Sequence, residues 1–226
     1  MILSFKDDLL AIDLWPTAPG QPCWRNDWLL GLDTASLYGL LRHWNPRHYV
    51  EIGSGNSTMV AARARSDGGL DTTITSIDPQ PRAEIDRVCD RVVREPLELV
   101  DLSLFKELSS GDVVFVDCSH RVFTNSDVTT FYLDVLPELP GGVFVGIHDV
   151  LWPDDYLPEW REYWFSEQYL LGAFLLAETP WLRPILACNY VSGRPDLAAI
   201  LDPIWKHLAP SGVDTRGFAF WFRVAR

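Results

Sequence analysis

The regular alternation of β-type runs with helical stretches most constrains what this 226-residue chain can fold into. Residues 48–53, 72–78, 91–95, 112–117 and 142–147 read as strands, and helical spacing appears at 33–44, 57–66, 81–90, 102–108 and 127–139. Successive parallel strands need crossover connections, usually helical, so strict alternation predicts a parallel sheet with helices on both faces. Asp112-Val-Val-Phe-Val-Asp117 and Gly142-Val-Phe-Val-Gly-Ile147 are almost free of charge and read as central strands. Two later runs, 184–191 and 218–224, flank a helical stretch at 196–208 and are expected to pair antiparallel at one sheet edge. The expected class is α/β, a doubly wound, mostly parallel, seven-stranded Rossmann-like sheet.

Bulk properties narrow the function. A formal charge of −12 argues against holding a polyanion, because nucleic-acid binding needs a basic face. Only Lys6, Lys106 and Lys206 offer an amine, and none lies beside the glycine turn considered next. Cys23, Cys89, Cys118 and Cys188 are widely spaced, with no C-x-x-C pair, and read as reduced thiols of a cytoplasmic protein. No apolar run has the length of a membrane span, and Met1–Leu10 carries Lys6, Asp7 and Asp8 within it, so neither membrane nor secretory signal is expected. One domain over 1–226 is expected: an N-terminal helical segment (1–47), a cofactor-binding core (48–150), an aromatic lid or insertion (151–180) and a C-terminal strand pair with its helix (181–226).

Tyr49-Val-Glu-Ile-Gly-Ser-Gly-Asn-Ser-Thr58 runs from a buried strand straight into a glycine turn, and the next strand stops at Asp78 and Pro79. Glycines let the backbone approach a ligand, and the helix that follows aims free N–H groups at an anionic group. An acidic side chain about 20 to 25 residues on, at the tip of the next strand, can accept both ribose hydroxyls. The turn can also be plain strand-to-helix packing, with Ser57 and Thr58 as ordinary caps.

With these elements in view, the chain resembles the class I S-adenosylmethionine-dependent methyltransferases over roughly residues 33 to 226. The resemblance rests on five elements in order: E-I-G-S-G-x-S-T at Glu51 to Thr58, Asp78, D-x-S-H at Asp117 to His120, P-G-G at Pro140 to Gly142, and I-H-D at Ile147 to Asp149. It implies that Gly53, Ser54 and Gly55 line the methionine and ribose portion of S-adenosylmethionine. Glu51 sits beneath the methionyl amino group, Asn56, Ser57 or Thr58 meets its carboxylate, and Asp78 binds the ribose. Adenine contacts are expected near Glu95 to Glu98.

Ligands of a doubly wound sheet gather at the carboxyl ends of its strands, where two adjacent strands end in Asp117-Cys-Ser-His120 and His148-Asp149. Methyl transfer needs an aligned nucleophile and a proton acceptor. His120, as a neutral imidazole, is the first candidate base, with Asp117 and Asp149 beside it; a loop histidine bonded to a backbone carbonyl is the alternative. Metal-using relatives carry a lysine where this chain has His120, and place magnesium ligands where it has Asp117 and Asp149. A divalent metal on those two carboxylates therefore stays open, although neighbouring imidazoles suit magnesium poorly.

His148 either touches substrate or orients its neighbour. Trp152, Tyr156 and Trp160 are expected to wall a small-molecule acceptor, while Trp164, Trp181, Trp205 and Trp221 read as core or interface anchors. An exposed aromatic face can equally bury a second copy, so a homodimer is among the expectations. The leading function is methylation of a small molecule, at oxygen before nitrogen or carbon. An NAD(P)-dependent Rossmann oxidoreductase is second, weakened by Thr58 in place of the third glycine and by the lack of a Tyr-x-x-x-Lys pair. A catalytically silent S-adenosylmethionine-binding or scaffold protein is third.

Overall fold

The computed structural model describes all residues except Arg82 and Glu178. Seven strands form one sheet in the order β3-β2-β1-β4-β5-β7-β6, namely β1 (His48–Ile52), β2 (Thr73–Ile77), β3 (Arg91–Val93), β4 (Val113–Val116), β5 (Phe144–Ile147), β6 (Leu182–Ala187) and β7 (Phe220–Val224). The first five run parallel, and β7 lies antiparallel between β5 and β6. The expected sheet and its antiparallel edge pair are present.

Alternation within β4 explains why the sheet is covered on both sides. Val113 and Phe115 pack with Tyr49, Ile74 and Trp221 on one face, against α2 (Gly31–Trp44) and α3 (Asn56–Gly68). Val114 and Val116 join Val50, Ile52, Val145 and Ile147 on the other, under Val128, Phe131, Tyr132 and Val135. All four β4 side chains are buried, which is why the run carries no charge. The short α1 (Lys6–Leu10) packs beside the first layer through Leu9.

Several expected elements differ. The stretch 81–90 is no α-helix: its only regular piece among the described residues is a 3₁₀ turn at Asp86–Val88, and Pro79 and Pro81 at its entrance disfavour helix around them. The helix expected over 127–139 is one α-helical turn, α4 (Asp127–Thr130), followed by a π-helical turn at Phe131–Val135 and a 3₁₀ turn at Leu136–Glu138 that contains Pro137. The strand expected over 184–191 starts at Leu182, and the chain turns helical in α6 (Cys188–Ser192). The stretch 196–208 divides into α7 (Pro195–Ala198), a 3₁₀ turn and α8 (Asp202–Leu208), with prolines at the start of both helices. Between β5 and β6, in the segment expected as an aromatic lid or insertion, lies a 3₁₀ turn at Pro158–Tyr163 and then α5 (Glu167–Leu176). No described helix is long and apolar enough to cross a membrane, and all four cysteines are free.

Candidate functional site

The glycine turn is built as its sequence requires. Gly53 has φ +87°, and a Cβ there would fall 1.8 Å from the Asp117 carbonyl oxygen. Only glycine fits a left-handed backbone pressed against the end of β4. The turn and the strand-end cluster are therefore in backbone contact. Gly55, by contrast, faces open space, with nothing among the described residues within 4 Å of where its Cβ would stand.

Side chains tie the turn to its surroundings. Ser54 Oγ donates to Asp78 Oδ2 at 2.7 Å, whose Oδ1 accepts from the Gln80 N–H at 2.8 Å. Asp78 thus sits beside the turn at the end of β2, as its spacing predicted. Thr58 Oγ1 accepts from the Gly55 N–H at 3.0 Å and donates to Glu51 Oε2 at 2.6 Å. Asn56 opens α3, and Ser57 is buried within its first turn. Glu51 is fully buried, and its Oε1 has no hydrogen-bond partner among the described residues. Burial pushes the Glu51 carboxyl up to about 8, against the lowering effect of the Ser57 and Thr58 hydroxyls. In the turn after β3, Glu98 Oε2 is likewise buried without a partner.

At the ends of β4 and β5, Asp117, His120, His148 and Asp149 converge. His120 Nε2 lies 3.3 Å from Asp117 Oδ1 and 3.6 Å from Asp149 Oδ2; His148 Nδ1 lies 3.6 Å from Asp117 Oδ1 and 3.4 Å from Asp149 Oδ1. His120 and Asp149 both take left-handed backbone, φ +57° and +53°. Such conformations in non-glycine residues collect at functional sites. The imidazoles are enclosed, each side chain 4% exposed, whereas the Asp117 and Asp149 side chains keep 32% and 19% exposure.

Two buried carboxylates absent from the sequence expectations back the imidazoles. Glu167, the first residue of α5, stands 2.8 Å from His120 Nδ1, and Asp33, in the first turn of α2, stands 3.3 Å from His148 Nε2. Asp33 also accepts from the Phe218 and Ala219 N–H groups. In sequence both read as ordinary acids at helix starts, favoured there by the helix dipole. Nothing local marks them.

This surrounding charge decides protonation. Burial alone lowers an imidazole's affinity for a proton, but Asp117 and Glu167 reverse that and raise His120 to about 10; Asp149 and Asp117 likewise raise His148. Burial pushes the Asp117 carboxyl up, and the two imidazoles more than reverse it, holding it well below the usual carboxylate range. For Asp149 burial prevails, and its carboxyl is raised. The neutral imidazole expected of His120 is thus an imidazolium at neutral pH, because three carboxylates surround it.

No group of three or more histidine, cysteine, aspartate or glutamate side chains among the described residues is arranged to hold a metal ion. Asp117 and Asp149 direct their oxygens at the imidazoles, so the residues present do not fit the magnesium site raised by the resemblance.

The aromatic segment splits. Trp152 packs on Gly172 and the second core layer. Tyr156 and Trp160 gather around Phe165, whose ring meets His120 edge-on at 4.8 Å, and Trp160 also meets Phe218 at 5.3 Å. His148 lies beneath the carboxylates rather than open to a substrate. Trp205 and Trp221 belong to the core and Trp181 packs against it, but Trp164 is 74% exposed.

Comparison with known proteins agrees with this architecture. Residues 50–150 match the family model described as a methyltransferase domain. The fold superposes on an O-methyltransferase from Bacillus cereus in complex with S-adenosylhomocysteine (SAH), with TM-score 0.51 and 17% identity, covering all of this chain and 89% of that one. It also superposes on an SAH-bound methyltransferase from Podospora anserina (TM-score 0.50, 19% identity, 85% and 78% covered). A branched-chain polyamine synthase from Thermus thermophilus shares it too (TM-score 0.51, 13% identity, 91% and 60% covered). No curated protein of similar sequence was found. At such identities the structural likeness establishes the fold, and the comparisons give the oxidoreductase reading no support. A methyltransferase-domain model thus matches the central strands of a chain whose fold is that of SAH-bound methyltransferase structures.

Proposed function

We propose that this protein methylates an oxygen of a small-molecule acceptor, and that the acceptor's proton passes to the Asp117–His120–Asp149 cluster. The observation that carries the reading is the backbone contact between the glycine turn and the end of β4, since a Cβ at Gly53 would fall on the Asp117 carbonyl. Cofactor turn and proton-holding cluster are adjacent. That one structural neighbour is an O-methyltransferase points the same way.

The residues around the turn fit the cofactor. The unpartnered Oε1 of Glu51 suits a methionyl ammonium, the open face of Gly55 leaves room for the chain that carries it, and the start of α3 suits its carboxylate. Asp78, already beside Ser54, would take the ribose hydroxyls, and the free Oε2 of Glu98 suits an adenine amino group. Bound S-adenosylmethionine supplies an electrophilic methyl group.

The chain's own residues supply positioning and proton uptake. An acceptor hydroxyl entering the cleft meets the partly open carboxylates before the enclosed imidazoles. Asp149, whose carboxyl burial raises, is the stronger proton acceptor of the two. As the acceptor's O–H bond breaks, its proton goes to Asp149, and the His120 imidazolium beside it offsets the charge of the remaining carboxylates. His120 then stabilises and relays rather than acting as a free neutral base. Tyr156, Trp160 and Phe165 offer flat apolar walls beside it.

Two measurements test this. Calorimetry with SAH at up to millimolar concentration should show one site, and labelled methyl should transfer from S-adenosylmethionine to members of a panel of phenols and alcohols. Absence of SAH binding sinks the methyltransferase reading, and transfer confined to amines sinks the oxygen assignment.

A further inference from the structure

Three hydrogen bonds and an ion pair bind the loop after β4 to the segment that enters α5. His120 O accepts from the Ser166 and Glu167 N–H groups at 2.8 and 3.1 Å, the Val122 N–H donates to Ser166 Oγ at 2.8 Å, and Glu167 Oε2 meets His120 Nδ1 at 2.8 Å. Arg121 Nε adds a bond to the Tyr163 carbonyl at 2.8 Å. Glu167 is fully buried, 47 residues from its imidazole, and Phe165 closes over the same ring. The shortest polar contact of His120 is therefore made from outside the strand-end cluster. A carboxylate at that place accepts the Nδ1–H, which fixes the ring plane.

We propose that Glu167 is a positioning residue for methyl transfer: by accepting from Nδ1 it aims His120 Nε2 between Asp117 and Asp149. The inference rests on the methyltransferase reading above. Its geometric content is that Nε2 stands 3.3 Å from one carboxylate and 3.6 Å from the other only while Glu167 holds the opposite edge of the ring. The segment between β5 and β6 thereby does more than wall the cleft. It supplies the group that orients the cluster, so undocking the start of α5 would disarm the site without touching the cofactor turn.

The test uses full-length protein with ¹⁵N-labelled histidine and saturating SAH, with the His120 signals assigned by their loss in His120→Asn. Wild type should show a downfield, slowly exchanging Nδ1–H proton. In Glu167→Gln that proton should move upfield or vanish while SAH affinity stays near wild type. With whichever phenol or alcohol of the panel above is turned over, kcat should fall about 10- to 100-fold with little change in KM. An unchanged proton signal, or an unchanged kcat, overturns the proposal. Should Glu167→Gln fail to fold, Glu167→Asp, which keeps the charge on a shorter arm, must weaken the same signal. Loss of SAH binding by wild type would count against the methyltransferase reading instead, and the proton signal reads the Glu167 bond separately.

Discussion

Glu51→Gln offers the sharpest quantitative prediction, because this carboxyl is fully buried and one of its oxygens has no partner among the described residues. An ordinary glutamate titrates near about 4.3, whereas burial raises Glu51 to about 8. At about 1.36 kcal/mol for each pH unit between them, ionising it in the free protein costs up to about 5 kcal/mol relative to the unfolded chain. The folded value lies above the unfolded one, so the stability Glu51 contributes is fully present below pH 4 and drains away as pH rises through about 8. Urea melts from pH 5 to 9 should therefore show wild type and Glu51→Gln close together at pH 5. The variant should become the more stable by several kcal/mol at pH 9, and subtracting the two curves cancels the other titrating groups. A methionyl ammonium seated against Glu51 would draw off its proton. SAH binding at pH 7, measured by calorimetry in buffers of different ionisation heat, should then release about 0.9 proton from wild type and none from this site in the variant. Parallel stability curves for the two proteins, or binding heats independent of buffer, refute the reasoning.

Asp78→Ala removes the acceptor of Ser54 Oγ and of the Gln80 N–H, and should weaken SAH binding about 10- to 100-fold by calorimetry; an unchanged Kd contradicts the ribose role. Gly53→Ala forces a Cβ onto the Asp117 carbonyl at φ +87°, and should lower the unfolding free energy by at least about 2 kcal/mol, so a wild-type urea midpoint would count against the described turn. His120→Asn should leave SAH affinity near wild type while reducing kcat roughly 10² to 10⁴-fold; retained kcat would remove His120 from the reaction. Asp33→Asn disturbs the acceptor of the Phe218 and Ala219 N–H groups and the partner of His148, and should cost about 1 to 3 kcal/mol in denaturant melts, with no change there arguing against a structural role.

The amino-acid sequence by itself determined what depends on local pattern. β-type runs at regular spacing encode the parallel sheet, and the β4 run shows the reason, since each of its side chains meets a core layer and none can carry charge. The glycine turn was legible because only glycine tolerates that backbone, and Asp78 because strand ends recur at a spacing that the crossover sets. Local pattern failed where proline and tertiary packing compete with helical periodicity, as at 81–90 and 127–139. Only the tertiary structure decided the chemistry of the histidines. Glu167 and Asp33 lie 47 and 115 residues from the rings they hold, and no motif joins them. A proton's affinity depends on every charge within a few ångströms, so His120 changed from an expected neutral base to an imidazolium once three carboxylates from β4, β5 and α5 met around it.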